Sequence, residues 1–427
     1  MNWFKTRWNS LKKSTLARNA GWMVLGQGIG FISQAIYFIL LARLLGGLEY
    51  GIYVGSFAFV SIIGNYSSLG SDTIFLRYVT PNKSRFKEYW GHIILLIGSS
   101  SIFLAAGLHL IAKFVINRDS AQVVFPVALS VCFCTQIAFA AGRVFQAFEQ
   151  LRVTAFMNLL TNVMRLIAAA VMMVVLHHAS ALQWAFASLI VSLVGAIIAI
   201  SIVTVKFGLP VFRPSLVKKH AAEGLQYSFS QSTASVYNDI DKTMLSHYGM
   251  NVENGIYAMA YRAVEIATIP IFSIRDAAMP RFFLKGTQGI SGTAPLAKSL
   301  LSRSMLLGLA AAGGLFLTAP LIPIVVGHEF AQSVNALRWL CLIPFFRGIH
   351  QITGSALTGA GLQPYRTATQ CLAAAFNFGL NLWLIPKFGW LGAAWASLLT
   401  DGSLGIMNWG IMMYLSHSDT SKALAET

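Results

Sequence analysis

The sequence has little of the charge that a soluble protein carries. Only 11% of its 427 residues are charged and 56% are hydrophobic, whereas soluble domains are about 25% charged. Acidic residues are the scarcest group, with 15 Asp and Glu against 31 Lys and Arg. No phosphate-binding G-x-x-x-x-G-K-[ST] motif occurs, which argues against an ATP-driven pump. These absences predict a membrane protein without a nucleotide site.

Cysteine is also scarce, and polar gaps are short. The four cysteines are interpreted as small apolar core residues and predict no metal site; they are Cys132, Cys134, Cys341 and Cys371. No gap between apolar segments could hold a soluble domain. An enzyme with extramembrane chemistry therefore has no room for its active site.

Long apolar stretches dominate what is present. About twelve stretches of about 20 residues recur with short polar breaks, which is typical of membrane-spanning helices. Continuous apolarity favours helices over the short alternating strands of a barrel. The predicted fold class is an all-α integral membrane protein with spans at 19–41, 51–75, 91–112, 123–145, 154–176, 182–205, 224–248, 255–280, 299–327, 333–360, 364–385 and 389–415.

The net charge of +16 has a one-sided distribution. With the N-terminus in the cytoplasm, most Lys and Arg residues fall in cytoplasmic segments. The opposite side then holds only Arg43, Lys113, Arg118 and Lys387. The positive-inside rule explains this pattern and predicts that both termini are cytoplasmic. A nucleic-acid partner is not needed to explain the basic charge.

The second half of the chain repeats the first. The segment 51–62, GIYVGSFAFVSI, aligns with 255–266, GIYAMAYRAVEI, and 185–190, AFASLI, with 394–399, AWASLL. Two six-helix halves in the same orientation form a parallel repeat. The predicted domains are a basic amphipathic N-terminus at 1–18, an N-lobe at 19–205, a cytoplasmic linker at 206–223, a C-lobe at 224–415 and a cytoplasmic tail at 416–427.

Several motifs resemble a known family. They include LARNA at 16–20, ARLLGGLEYGIY at 42–53, DKTML at 241–245, ENGIY at 253–257 and AYR at 260–262. The chain resembles the Wzx-type flippases of lipid-linked oligosaccharides, in the MOP superfamily that also holds the MATE antiporters. One departure is Asp72, which stands where an uncharged residue is expected.

The resemblance implies a V-shaped, two-lobe transporter in a bacterial inner membrane. It implies that the protein flips an undecaprenyl-diphosphate-linked oligosaccharide to the periplasmic leaflet, for O-antigen, capsule or exopolysaccharide synthesis. The expected partners are this substrate, membrane lipids, and the polymerase and chain-length proteins of the pathway. The protein is expected to be a monomer, without nucleic acid.

Charged residues inside predicted spans are the first candidate site. The stretch 231–242, QSTASVYNDIDK, places Asp239, Asp241 and Lys242 in the seventh span, where each charge is costly. Measured from the turn near Asn251, Asp241 and Arg262 lie at similar depth, so we expect them to pair. Glu265, three residues on, can join this cluster. The cluster is either a gate or a clip that holds the hairpin together.

Two arginines lie near the middle of their spans, out of snorkelling reach. Arg347 in the tenth span and Arg165 in the fifth have no acidic residue three or four positions away. A planar guanidinium binds two diphosphate oxygens at once, so both are candidates for the substrate diphosphate. The alternative is that each pairs with an acid on another helix, for example Arg347 with Asp401.

Other polar residues complete the candidate substrate path. Amide side chains suit sugar hydroxyls but also hold membrane helices together; the candidates are Gln27, Gln34, Asn162 and Asn377. A lone carboxylate in the twelfth span, Asp401, either binds a coupling proton or sodium ion or forms a plain salt bridge. No other cofactor is predicted.

Three other functions remain as alternatives. A cation-coupled drug antiporter of the same fold should have an acidic cavity, which Arg165 and Arg347 oppose. A membrane polymerase or acyltransferase of the same pathway needs a long outer loop or a catalytic His/Asp set. A scaffold that recruits enzymes through its basic face needs no charges at mid-depth.

Overall fold

The computed structural model describes residues 15–425, without the side chains of 15–29, 31, 151, 158, 230 and 418–425. These residues form helices and short turns and include no strand, so the all-helical prediction is confirmed. The predicted amphipathic segment 1–18 and tail 416–427 lie largely outside the described side chains.

The described residues divide into two compact units, one ending at Ser232 and the other beginning at Thr233. The helices that begin in the first unit are α1 Thr15–Gly64, α2 Ser71–Val79, α3 Phe86–Val115, α4 Arg118–Leu129, α5 Gln136–Ala147, α6 Leu151–Leu176, α7 Ala181–Phe207 and α8 Pro214–His247. The division falls inside α8. Of the predicted linker 206–223, only 208–213 is not helical.

The second unit continues with seven further helices among its described residues. They are α9 Asn251–Gly286, α10 Ile290–Thr318, α11 Ile322–Val326, α12 Ser333–Leu340, α13 Ile343–Gly359, α14 Gln363–Phe388 and α15 Trp390–Ala425. The first two predicted spans, 19–41 and 51–75, share α1, and the second also reaches α2; each of the other predicted spans overlaps one of these helices or a broken pair of them.

Local sequence explains where several helices bend, begin and end. Helix α1 bends at Gly46, whose φ of 69° is accessible mainly to glycine. Ser180 and Gln183 form a reciprocal capping box that starts α7. Gly208, with φ of 102°, ends it. Between α4 and α5, the chain widens into a single π-helical turn at Ser130–Thr135.

Each unit has its own apolar core. In the first unit, Phe75, Trp90 and Phe145 are fully buried in one cluster. In the second, Phe282 and Met412 are fully buried together. Large apolar side chains also remain exposed along the outward faces of many helices, as expected for surfaces that contact lipid.

Seven helical segments of the described chain are long and apolar enough to cross a membrane. They are Ile32–Val79, Lys83–Val115, Arg118–Ala147, Arg152–Leu176, Ala181–Phe207, Ile290–Val326 and Gln363–Phe388. The chain is therefore a multi-pass membrane protein. Helices α8 and α9 fall outside this set because each contains several charged residues, including those of the candidate site.

Candidate functional site

Arg165 lies in a cavity of the first unit. The cavity has a volume of about 320 Å³ and is lined by residues of α1, α5, α6, α7 and the π-helical turn. Its polar lining includes Gln34, Thr135, Asn162 and Ser192. Three residues predicted from the sequence to contact substrate, Gln34, Asn162 and Arg165, thus line the same cavity.

Among the described residues, hydroxyl groups alone hold the Arg165 guanidinium. Its Nη2 donates to Thr135 Oγ1 at 3.4 Å and to Ser192 Oγ at 3.3 Å. Its Nε is buried and has no hydrogen-bond partner among the described residues. No carboxylate of the described chain lies within ion-pair distance of it. The cavity therefore presents a positive charge that no acidic side chain of the described residues neutralises.

The π-helical turn explains how α4 and α5 present a hydroxyl to this cavity. The hydroxyl of Thr135 donates to the carbonyl of Ser130, five residues earlier, at 3.0 Å. Ser130 in turn bonds to Ser192 at 3.1 Å. Such turns occur frequently at functional sites. Of the predicted amides on α1, Gln34 reaches the cavity, whereas the side chain of Gln27 lies outside the described part.

A second cavity of about 220 Å³ lies in the same unit. It shares Thr135 and Phe139 with the Arg165 cavity, so the two are adjacent. Asp72, which the sequence marked as unexpected, lines it and lies 3.6 Å from the Nε of Arg143. The sequence marked Asp72 only as a departure from the family pattern, and it marked Gln231, another residue of this lining, only as the start of the stretch 231–242.

Arg347 does not resemble Arg165. It is 6% exposed, and its Nε lies 3.7 Å from Asp401 Oδ2. It also donates to the Tyr261 hydroxyl and, at 3.3 Å, to Asn238 Oδ1. The prediction of an unpaired guanidinium is wrong for Arg347, and the alternative pair with Asp401 is the one observed.

Asp241 is buried but has partners other than the predicted Arg262. Tyr257 and, at 3.0 Å, Ser397 donate hydroxyl hydrogen bonds to its Oδ2. Lys242 lies 3.7 Å from its Oδ1. Arg262 instead pairs with Glu265 at 2.6 Å on its own helix. The Asp241–Arg262 pair predicted from equal depth is therefore wrong.

Lys242 connects α8 to α9. Its Nζ bonds to Asp239 Oδ1 at 2.9 Å and lies 4.3 Å from the centre of the Tyr261 ring. The Arg347 guanidinium lies 5.3 Å from the same ring. One aromatic ring thus contacts both buried cations. Asp239 remains 24% exposed, in contrast to the 1% of Asp241.

The remaining predicted residues of the second unit are paired inside it. Asp401 accepts from His350 Nε2 at 3.1 Å besides its contact with Arg347. Asn377 is fully buried and bonds to Thr400 and Asn381, both at 2.9 Å. Asn377 thus holds helices together, which is the alternative that its residue type left open.

Sequence reasoning missed the tyrosines of this charged cluster. Tyr257 and Tyr261 occur in the ENGIY and AYR motifs, so the signal was present but was read only as family resemblance. The hydroxyls of Thr135 and Ser192 gave no signal, because isolated Ser and Thr residues are common in membrane helices.

Comparisons with known proteins agree with this architecture. The model of the family described as "Polysaccharide biosynthesis protein" matches residues 16–284. No sequence among the curated proteins is significantly similar to the chain.

Solved structures show the same fold. An inward-facing multidrug resistance MATE family transporter of the MOP superfamily superimposes with a TM-score of 0.71 at 12% identity, over 93% of this chain and 98% of that one. The MATE multidrug transporter DinF-BH gives 0.63 at 16% identity, over 93% and 94%. A MOP superfamily transporter from Pyrococcus furiosus with reverse polarity of its binding pocket gives 0.62 at 13%, over 93% and 95%.

The family model covers more than half of the chain, and the structural likeness extends over nearly all of it. The chain therefore belongs to the polysaccharide biosynthesis protein family, and it has the fold of the MOP-superfamily transporters.

Proposed function

We propose that this protein flips an undecaprenyl-diphosphate-linked oligosaccharide from the cytoplasmic to the periplasmic leaflet of a bacterial inner membrane. The product would supply the synthesis of O-antigen, capsule or exopolysaccharide. Membership of the polysaccharide biosynthesis family supports the substrate class. The fold of known transporters supports movement of substrate rather than its chemical conversion.

Arg165 is the observation that carries the proposal. A half-buried guanidinium whose Nε is buried, and which has no carboxylate partner among the described residues, favours an anion or water, because a charge without a counter-ion is costly away from bulk water. A diphosphate provides oxygens in the geometry that a guanidinium bonds in pairs. Gln34 and Asn162 line the same cavity and provide amide groups for neighbouring sugar hydroxyls.

The same charge opposes a drug antiporter for organic cations. A cationic drug would meet an uncompensated positive charge in the Arg165 cavity. A transporter of this fold from Pyrococcus furiosus, whose reversed pocket polarity suggests a different function, is a precedent for such a change. The lipid-linked diphosphate therefore fits the cavity better than an organic cation does.

The second unit supports coupling to a cation gradient. Its cluster of charged residues places the carboxylates Asp239, Asp241 and Asp401 beside the cations Lys242 and Arg347. A carboxylate inside a membrane helix can take up a proton or bind a sodium ion, which would link flipping to an ion gradient. Asp239 is the most exposed of the three and is the proposed point of entry.

The proposed function is tested in a bacterium that depends on this gene for its surface polysaccharide. Without the protein, lipid-linked units should accumulate on the cytoplasmic leaflet, where an added glycosidase cannot reach them in intact spheroplasts. Wild type and Arg118→Gln, a change on an exposed arginine of α4, should restore periplasmic exposure. Arg165→Gln should not restore it at equal protein level. Normal surface polymer in the deletion strain would refute the proposed function.

A further inference from the structure

The second cavity of the first unit, introduced above through Asp72, is built by a break in the helical path. Helix α1 ends at Gly64, and α2 begins only at Ser71. In between, Leu69 and Gly70 have φ values of 40° and 60°, a left-handed conformation that costs energy for a residue such as leucine. The break leaves room for a cavity of about 220 Å³ beside α5 and α8.

Close backbone contacts fix the wall of this cavity. The Cα of Gly224 on α8 packs so tightly against the Leu69 carbonyl that a Cβ would overlap it. A Cβ on Gly70 would lie 2.7 Å from the Cβ of Tyr227. Ser228 donates to the carbonyl of Asn65 at 3.1 Å. The cavity is therefore preformed and rigid on this side, which lowers the entropic cost of binding.

The lining of this second cavity is polar, and the negative charge of its carboxylate is balanced by a nearby arginine. Asp72 is 13% exposed and is neutralised by Arg143 at 3.6 Å. Its Oδ2 accepts from Thr73 at 3.4 Å, whereas its Oδ1 has no hydrogen-bond partner among the described residues. Because the carboxylate is already paired, neither an organic cation nor a free anion is favoured. The lining instead favours a neutral ligand that is rich in hydroxyl groups.

Two amides of the cavity have unused hydrogen-bonding capacity. Gln136 on α5 and Gln231 on α8 line it, and no described side chain bonds to either amide. Phe139 adds an aromatic ring beside them. Amide donors and acceptors, a carboxylate oxygen and an aromatic face are together suited to the hydroxyls and the apolar face of a pyranose ring.

The volume and position of the cavity limit the ligand further. Pockets for drug-sized ligands measure about 300–1,000 Å³, so 220 Å³ fits one sugar ring rather than an oligosaccharide. Thr135 and Phe139 belong to both cavities. In a lipid-linked oligosaccharide, the first sugar is bonded directly to the diphosphate. A diphosphate at Arg165 would therefore bring that sugar to the second cavity.

We propose that the cavity lined by Asp72, Gln136 and Gln231 binds the first sugar of the lipid-linked unit, next to the diphosphate site at Arg165. This inference rests on the proposed function and adds to it the residues that recognise sugar. It also gives a role to Asp72, a charged residue at a position where the family resemblance led us to expect an uncharged one.

The test measures lipid binding to the full-length protein in nanodiscs. The probes are undecaprenyl diphosphate without sugar and undecaprenyl diphosphate carrying glucose, galactose, N-acetylglucosamine or N-acetylgalactosamine. At least one glycosylated probe should bind more tightly than the bare lipid. Gln136→Leu and Gln231→Leu should each reduce that advantage by about three- to tenfold, the effect of one or two hydrogen bonds. Gln122→Leu, on an exposed residue of α4, should leave it unchanged.

The Arg165→Gln variant separates failure of this inference from failure of the proposed function. This variant should lower the affinity for every lipid probe by the same factor. The glycosylated lipid should therefore still bind more tightly than the bare lipid diphosphate. If no sugar increases affinity, or if both glutamine variants keep the advantage, the sugar site is refuted. If Arg165→Gln leaves the affinity of the bare lipid diphosphate unchanged, the proposed diphosphate site itself is refuted.

Discussion

Replacing Arg347 should destabilise the second unit, because it would leave Asp401 buried without its cation. Arg347→Met removes the 3.7 Å ion pair to Asp401, the 3.3 Å bond to Asn238 and the bond to Tyr261. Breaking one side of a buried ion pair costs about 3–5 kcal/mol. Asp401 keeps its hydrogen bond to His350 at 3.1 Å. We therefore expect the loss in free energy of unfolding to be near the lower end of this range.

A loss of about 3 kcal/mol corresponds to a decrease in Tm of roughly 6–12 °C for a unit of this size. The assay is thermal unfolding of the purified protein in detergent, followed by tryptophan fluorescence. Arg347→Met combined with Asp401→Asn should recover at least half of the decrease, since no unpaired charge remains. Arg338→Met, on an exposed arginine of α12, is the control and should shift Tm by less than about 2 °C. A Tm of Arg347→Met within about 2 °C of wild type would show that the ion pair is not structural.

Three further predictions concern packing and surface charge, all measured as changes in Tm. Gly286→Ala should destabilise by about 1–3 kcal/mol, because its Cβ would overlap the backbone of α13; Gly313→Ala, which has open space around it, should not, and equal effects would contradict the packing argument. His92→Leu should raise stability by about 1 kcal/mol, since His92 is 1% exposed and neither ring nitrogen has a described partner; a lower Tm would imply an unseen partner. Arg213→Gln should cost less than about 1 kcal/mol, because its 2.8 Å contact with Glu88 is solvent-exposed; a larger loss would mean that this contact anchors the segment before α8.

The positions of the helices were predictable because apolar length alone determines which segments can cross a bilayer. The points at which these helices are interrupted were harder to predict from the sequence. The interruption between α1 and α2 depends on the left-handed backbone of Leu69 and Gly70, and a leucine gives no sign of that conformation. The cavity beside Asp72 was therefore not predicted.

The error over Asp241 has a physical cause in helical phase. Depth along a hairpin follows from residue counting, but the facing direction changes by about 100° with each residue. Asn254, Tyr257 and Tyr261 share the face of α9 that meets Asp241 and Lys242. Arg262 is one position further round and points elsewhere. Depth without phase could not identify the pair.

The two arginines could not be separated by their sequence context. Both lie at mid-span without nearby acids, and only the packing of α15 against α13 brings Asp401 to Arg347. No described helix brings a carboxylate to Arg165. Three-dimensional contacts therefore pair Arg347 with an acid of its own unit, and Arg165 is the arginine that remains as the anion-binding candidate.

The most direct test is the initial rate at which the purified protein flips a fluorescent undecaprenyl-diphosphate-linked sugar in proteoliposomes. Arg165→Gln should lower this rate at least about tenfold, the loss of a charge-assisted hydrogen bond worth about 1.5–3 kcal/mol. Arg165→Lys should be intermediate, because a point charge lacks the planar fork. A wild-type rate for Arg165→Gln, in protein with unchanged Tm, would contradict the assignment of Arg165 as the diphosphate-binding residue.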